Sequence, residues 1–217
     1  MAKQSQSLRE MVYSYFCDQM KTGILVVGDF IDQAEICEKL GISRAPLRDA
    51  LIQLETEGFV SIRPRRGVFI KPLTLKDIKE SYDVLGALEA SVILSVFDKI
   101  TKKHICKMKE INHNLLNALE CSDFELYYKL NGDFHDTFLD IEDNQLIKKI
   151  IAPIKQRLYD FPLRNYDPEW EKNNLKEHDR LIESLEKKNR QGAASILQYE
   201  HWSFSLQNEH IKSFYEL

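Results

Sequence analysis

The run Ile42-Ser43-Arg44-Ala45-Pro46-Leu47-Arg48-Asp49-Ala50-Leu51, continued by Leu54-Glu55-Thr56-Glu57-Gly58-Phe59-Val60 and closed by Arg65-Arg66-Gly67-Val68, decides how the first third of the chain reads. Leu47, Ala50, Leu51 and Leu54 recur at the spacing of a helix with one buried stripe. Ser43 stands where a side-chain oxygen can cap the first turn. Pro46 falls inside that turn, where a missing N–H costs little. Gly58 ends the helix at about Glu57. Arg44, Arg48 and Asp49 lie off the stripe, on the face left to a partner.

Upstream, Asp32 and Glu35 have the spacing of a capping box and open a helix to about Leu40, with Gly41 suited to the left-handed residue that ends it. Leu8, Met11, Val12, Tyr15, Phe16 and Met20 predict an earlier helix over 7–21. Downstream, 59–62 and 68–71 flank Arg63-Pro64-Arg65-Arg66-Gly67, the pattern of a β-hairpin with a basic tip. Two helices joined by a tight glycine turn and followed by a basic hairpin form a winged helix-turn-helix. Its second helix would lie in the major groove of double-stranded DNA, N-terminal residues toward the base edges. Ser43, Arg44 and Arg48 are the candidate groove residues, because arginine can bridge guanine O6 and N7 or clamp a phosphate. Arg65 and Arg66 would press on the backbone or enter the minor groove, with Gly67 allowing close approach. The competing reading, arginines that only solvate a surface helix, leaves the glycine turn and the wing unexplained.

A net charge of −4 over 217 residues is unusual for a DNA binder, so its distribution matters. Residues 1–72 carry ten Lys/Arg against nine Asp/Glu, and the acid excess falls on the remainder. From Phe59 to Lys71 there are four basic residues and no acid. A basic tip can engage phosphates while an acidic body stays away from them. No apolar run approaches the roughly 20 residues of a membrane span, and the first seven residues lack an apolar leader, so a cytoplasmic protein is expected. Cys17, Cys37, Cys106 and Cys121 are widely spaced and read as reduced thiols.

The character of the chain changes near Pro72, where the boundary between domains 1–72 and 73–217 is placed. Beyond it the helical period persists, with helices expected over 74–99, 101–120, 123–141, 144–159, 169–187 and 191–213, and a surface loop at 161–168. No alternating strand pattern appears. The fold class is therefore mainly α: a winged helix-turn-helix with a small hairpin, then an antiparallel all-α bundle. Asn131 and His135 lie four apart, on one face of one helix; His178 and His201 lie on later helices. Their convergence would build a metal site in the bundle core. Lone helical histidines are more often surface or hydrogen-bonded core residues, as expected of His104, His113 and His210.

The N-terminal run resembles the signature of the GntR superfamily, in which Ser-Arg-x-Pro-Val-Arg-Glu-Ala-Leu precedes Leu-x-x-x-Gly-Leu-Val and an Arg-Arg-Gly wing. Asp49 stands here for the usual glutamate. The resemblance spans 8–71 and implies DNA contacts from Arg44, Arg48, Arg65, Arg66 and Gly67. The C-terminal part resembles the FadR-like ligand-binding domain of that superfamily, called FCD. Asn131-Gly132-Asp133-Phe134-His135, Glu177-His178 and His201 match its Asp-x-x-x-His, Glu-His and final His. In the metal-binding members the Asp and three His hold a divalent ion, often zinc or nickel, in a pocket that also receives a carboxylated effector.

Two departures bear on that implication. Asn131 replaces the aspartate, offering a neutral and weaker oxygen. Leu85 replaces the arginine that often meets the effector, so Arg157 is the candidate cation for an organic acid. With no anionic protein ligand, a bound ion would keep its +2 charge and attract an anion. The expectation is a homodimeric, ligand-responsive regulator with two winged heads on a two-fold operator, and a repressor, because occupying an operator suffices to repress. Two alternatives stand beside it: a metal-dependent enzyme using the three histidines, and an architectural DNA binder with no effector. The chain carries no H-E-x-x-H, nucleophile elbow or phosphate-cradling glycine loop to favour the enzyme.

Overall fold

The computed structural model describes residues 7–159 and 166–217. The loop expected at 161–168 lies largely outside the described residues, as do residues 1–6. The chain divides into two compact units, the first comprising 7–73 with 153–159 and the second Thr74–Ala152 with 166–217.

In the first unit, α1 (Leu8–Lys21) starts on a full capping box between Ser7 and Glu10. A short β1 (Phe30–Ile31) leads to α2 (Gln33–Leu40), whose first amides donate to the Asp32 carboxylate and whose end is turned by Gly41 at φ +63°. Next comes α3 (Arg44–Thr56). Ser43 holds its N-cap position, but the expected side-chain cap is absent: the hydroxyl accepts no helix amide. The start of α3 is exposed, where water can satisfy those amides. β2 (Val60–Arg63) and β3 (Gly67–Ile70) form the hairpin, and β1 adds to β3 to give an antiparallel sheet of order β1-β3-β2. Val12, Phe16, Leu47, Leu51, Leu54, Val60 and Ile70 make the core between helices and sheet.

The second unit is helical throughout its described residues: α4 (Leu75–Val96), α5 (Lys102–Glu120), α6 (Phe124–Leu139), α7 (Gln145–Tyr159, whose end belongs to the first unit), α8 (Pro168–Glu186), α9 (Arg190–Ile196) and α10 (Phe204–Tyr215). Capping boxes at Thr74 and Thr101 start α4 and α5. The single last helix expected over 191–213 is instead broken by a π-helical turn, Leu197–His201, closed by the Trp202 amide donating to the Leu197 carbonyl at 3.0 Å. Such turns recur at functional sites, and this one carries His201. α4 packs against α6, α9 and the π turn, and α5 against α6 and α8. Gly86 makes the α4 contact with the π turn close: a Cβ there would meet Trp202 Cβ at 3.1 Å and the Gln198 carbonyl at 3.4 Å. Among the described residues, no helix is long and apolar enough to cross a membrane.

Candidate nucleic-acid interface and candidate metal centre

The head presents one polar face. Ser43, Arg44, Arg48 and Asp49 are exposed along α3, opposite the fully buried Leu47, Ala50 and Leu54. Arg48 Nε lies 4.0 Å from Asp49 Oδ1 with 75% of its side chain exposed. A surface pair of that kind holds its partner weakly, so the guanidinium remains available. At the wing tip, Arg65 and Arg66 are exposed. Arg65 adopts φ +62°, a left-handed conformation that β-carbon sterics disfavour. Arg63 departs from the reading of the tip as a uniform basic cluster: its guanidinium sits 4.8 Å over the Phe69 ring and braces the strand. Gly67 has a reason that spacing alone did not reveal. At φ +101° its added Cβ would lie 2.4 Å from the Phe30 ring, so a side chain there would strain the backbone and displace that ring.

Arg157 is not among the residues of the helical unit's cluster. It belongs to the first unit, is buried, donates to the Pro72 carbonyl at 3.4 Å and lies against Gly58. That placement gives no support to its assignment to an effector carboxylate. Leu85 is fully buried in α4.

In the helical unit, His135 on α6, His178 on α8 and His201 on the π turn converge. Their ring centroids are 4.9–5.4 Å apart, and one ligand nitrogen from each lies within 4.8 Å of the others. All three are buried. Each ring is anchored through Nδ1: His135 to Glu89 Oε2 at 2.8 Å, His201 to Glu177 Oε2 at 2.9 Å, and His178 to Asn112 Oδ1 at 3.1 Å. Carboxylate and amide oxygens accept, so Nδ1 carries the proton and Nε2 keeps the lone pair a metal would use. Asn131 is one turn from His135 on α6; its Oδ1 is buried without a hydrogen-bond partner. A buried acceptor without a partner, one helical turn from one of three convergent imidazoles, fits a cation.

Glu89 and Glu177 are the residues that sequence reasoning missed as part of this centre. Glu89 is fully buried and also accepts from Trp202 Nε1 at 2.8 Å; Glu177 also accepts from Gln207 Nε2 at 3.2 Å. The expectation that a bound ion keeps its full +2 charge is revised accordingly, because two carboxylates stand one shell out. Glu177 neighbours His178 in sequence yet serves His201, since successive residues on a helix point about 100° apart. Only the burial of a glutamate within the helical stripe of α4 hinted at Glu89.

Comparison with known proteins accords with both halves. A family profile described as "Bacterial regulatory proteins, gntR family" matches residues 8–70, and one described as "FCD domain" matches residues 80–201. The HTH-type transcriptional regulator YdhC of Bacillus subtilis is 27% identical over 190 residues, covering 83% of this chain and 84% of that protein. The HTH-type transcriptional repressor RspR of Escherichia coli is 22% identical over 151 residues, 70% of this chain and 66% of that one. Among solved structures, E. coli McbR/YncC superposes with a TM-score of 0.72 at 20% identity, covering 94% of this chain and 96% of the other. A GntR regulator from Rhodococcus sp. RHA1 gives 0.71 at 17% identity, with 94% and 97% covered.

Proposed function

This chain belongs to the gntR family of bacterial regulatory proteins, with an FCD domain as its second half, and from that premise we propose a metal-centred, metabolite-responsive repressor. The family and its relatives are DNA-binding transcription regulators rather than enzymes, and the enzymatic alternative gives way. In the proposed reading, two copies pair and set two α3 helices on a two-fold operator in the cytoplasm. Arg44 and Arg48 meet base edges or phosphates, Ser43 offers its uncapped hydroxyl, and Arg65, Arg66 and Gly67 bring the wing to the backbone. The helical domain receives a small carboxylated metabolite. The name of RspR, a repressor, supports the negative sign.

The observation that carries the effector half is the set of three buried, convergent imidazoles, each fixed through Nδ1, with a buried amide oxygen without a partner one helical turn from His135. His135, His178, His201 and Asn131 would hold a divalent transition ion, zinc or nickel. The ion supplies a positive centre to which a carboxylate can bind. Glu89 and Glu177 orient the His135 and His201 rings and exclude their other tautomers. Asn131 supplies a neutral oxygen, and the outer carboxylates temper the pull on an anion without removing it.

The test begins by sequencing the genomic fragments retained by purified protein. Gel-shift titration on the recovered operator then compares zinc-loaded with chelator-treated protein across a panel of organic acids. Release of the operator by an acid only in the zinc-loaded protein supports the proposal. An operator affinity indifferent to every acid and to zinc favours the architectural alternative.

A further inference from the structure

The three histidines do not have equivalent outer partners. His135 and His201 donate to carboxylates, whereas His178 donates to the neutral amide of Asn112. The orientation of that amide is determined by its other contacts. Asn112 Nδ2 donates to Asp179 Oδ1 at 2.7 Å and to the Leu175 carbonyl at 3.2 Å, two acceptors that only the NH2 end can face. Oδ1 must then point at His178, and His178 must donate from Nδ1. Asn112 is buried in α5, while Asp179 is exposed on α8; both line an open groove of about 530 Å³ between these helices, with Leu175. His178 itself is further restrained by the Phe134 ring, stacked 3.8 Å away at 11°.

We infer that Asn112, clamped by Asp179, is the positioning residue of His178: it selects the Nδ1–H tautomer and aims Nε2 at the metal centre. This rests on the proposed metal reading and adds to it a specific division of labour. Two ligands are made more basic by carboxylates, and the third is oriented without added charge. The clamp runs from the metal-facing ring to the surface of α8 through one amide. A partner that merely filled space would leave the tautomer of His178 and its affinity for a metal untouched.

The test uses the full metal-free chain, with zinc alone as the probe, in competition with a chromophoric chelator. Asn112→Leu should weaken zinc binding by about 10–100-fold, the range for loss of an outer-shell partner. Asp179→Ala, a change at an exposed side chain, should weaken it in the same direction by less. Long-range 1H–15N spectra of the metal-free imidazoles should show His178 protonated on Nδ1 in the wild type and a mixture of tautomers in both variants. Wild-type zinc affinity in Asn112→Leu overturns the inference. If that variant fails to fold, unchanged affinity and tautomer in Asp179→Ala overturn it instead. A wild type that binds no zinc sinks the metal reading, and the tautomer of His178 then still decides whether Asn112 sets it.

Discussion

Glu89 accepts the Nδ1–H of His135 at 2.8 Å, with both side chains fully shielded from water. A carboxylate in that position holds the ring in one tautomer and makes Nε2 a better donor. Glu89→Gln keeps the shape and removes the charge. It should weaken zinc binding by about tenfold or more, while the metal-free chain stays folded, since the amide oxygen can still accept from His135 and Trp202. Competition titration checks the first and urea unfolding the second; unchanged zinc affinity would detach Glu89 from the centre.

On the DNA side, Arg48→Ala should weaken operator binding by about 1–3 kcal/mol if the guanidinium is bidentate to a base. Folding stability should barely move, because the side chain is 75% exposed. Arg65→Ala should lower affinity for every sequence and reduce the salt slope by about one unit if it neutralises one phosphate. Gel shifts at several salt concentrations read both, and normal affinity in the Arg48 variant would remove α3 from the groove.

Gly58 ends α3 at φ +84°, and a Cβ there would lie 2.9 Å from the Arg157 guanidinium. Gly58→Ala should therefore destabilise the head by about 1–3 kcal/mol, from left-handed strain and displacement of a buried cation. Gly132 is the control: it sits inside α6 with no atom within 4 Å of an added Cβ, so Gly132→Ala should gain up to about 1 kcal/mol. Denaturant unfolding of the two variants should move in opposite directions.

Asp167 caps α8 by accepting from the amides of Glu169 and Trp170, and His210 Nδ1 lies 2.7 Å from its other oxygen. Burial pushes this carboxyl up, but the His210 contact and the two amides outweigh it, leaving the pKa below the ordinary 3.8. A carboxylate with a depressed folded pKa stabilises above its unfolded value, and the contribution fades as pH falls through the folded one. Asp167→Ala should cost about 1 kcal/mol at neutral pH, the usual worth of such a cap. The difference from wild type should shrink below pH 3.8. Melting curves across pH 2–7 check this, and a pH-independent difference would contradict it.

The head was legible because its signals are local. Stripe, the Asp32 cap, turn glycine and wing all lie within tens of residues, and Gly41 turns where the spacing demanded. β1 escaped notice because two residues carry no alternation. The π turn escaped because Ile196, Leu197 and His201 continue an acceptable helical stripe; only the i+5 hydrogen bond reveals the break. The partners of the histidines lie 46, 66 and 24 residues away in sequence, where no spacing rule reaches. For the same reason Arg157 read as an effector ligand: nothing near it in sequence announces Gly58 and Pro72 as its neighbours.

The most direct test of the account is calorimetric titration of metal-free protein with zinc, wild type against His178→Ala. The account predicts about one ion per chain in the wild type, through three imidazoles and the Asn131 oxygen, and a much weaker or absent site in the variant. The variant's winged head should stay folded. If wild type binds zinc no tighter than His178→Ala, the histidines are structural and the metal-centred effector pocket is wrong.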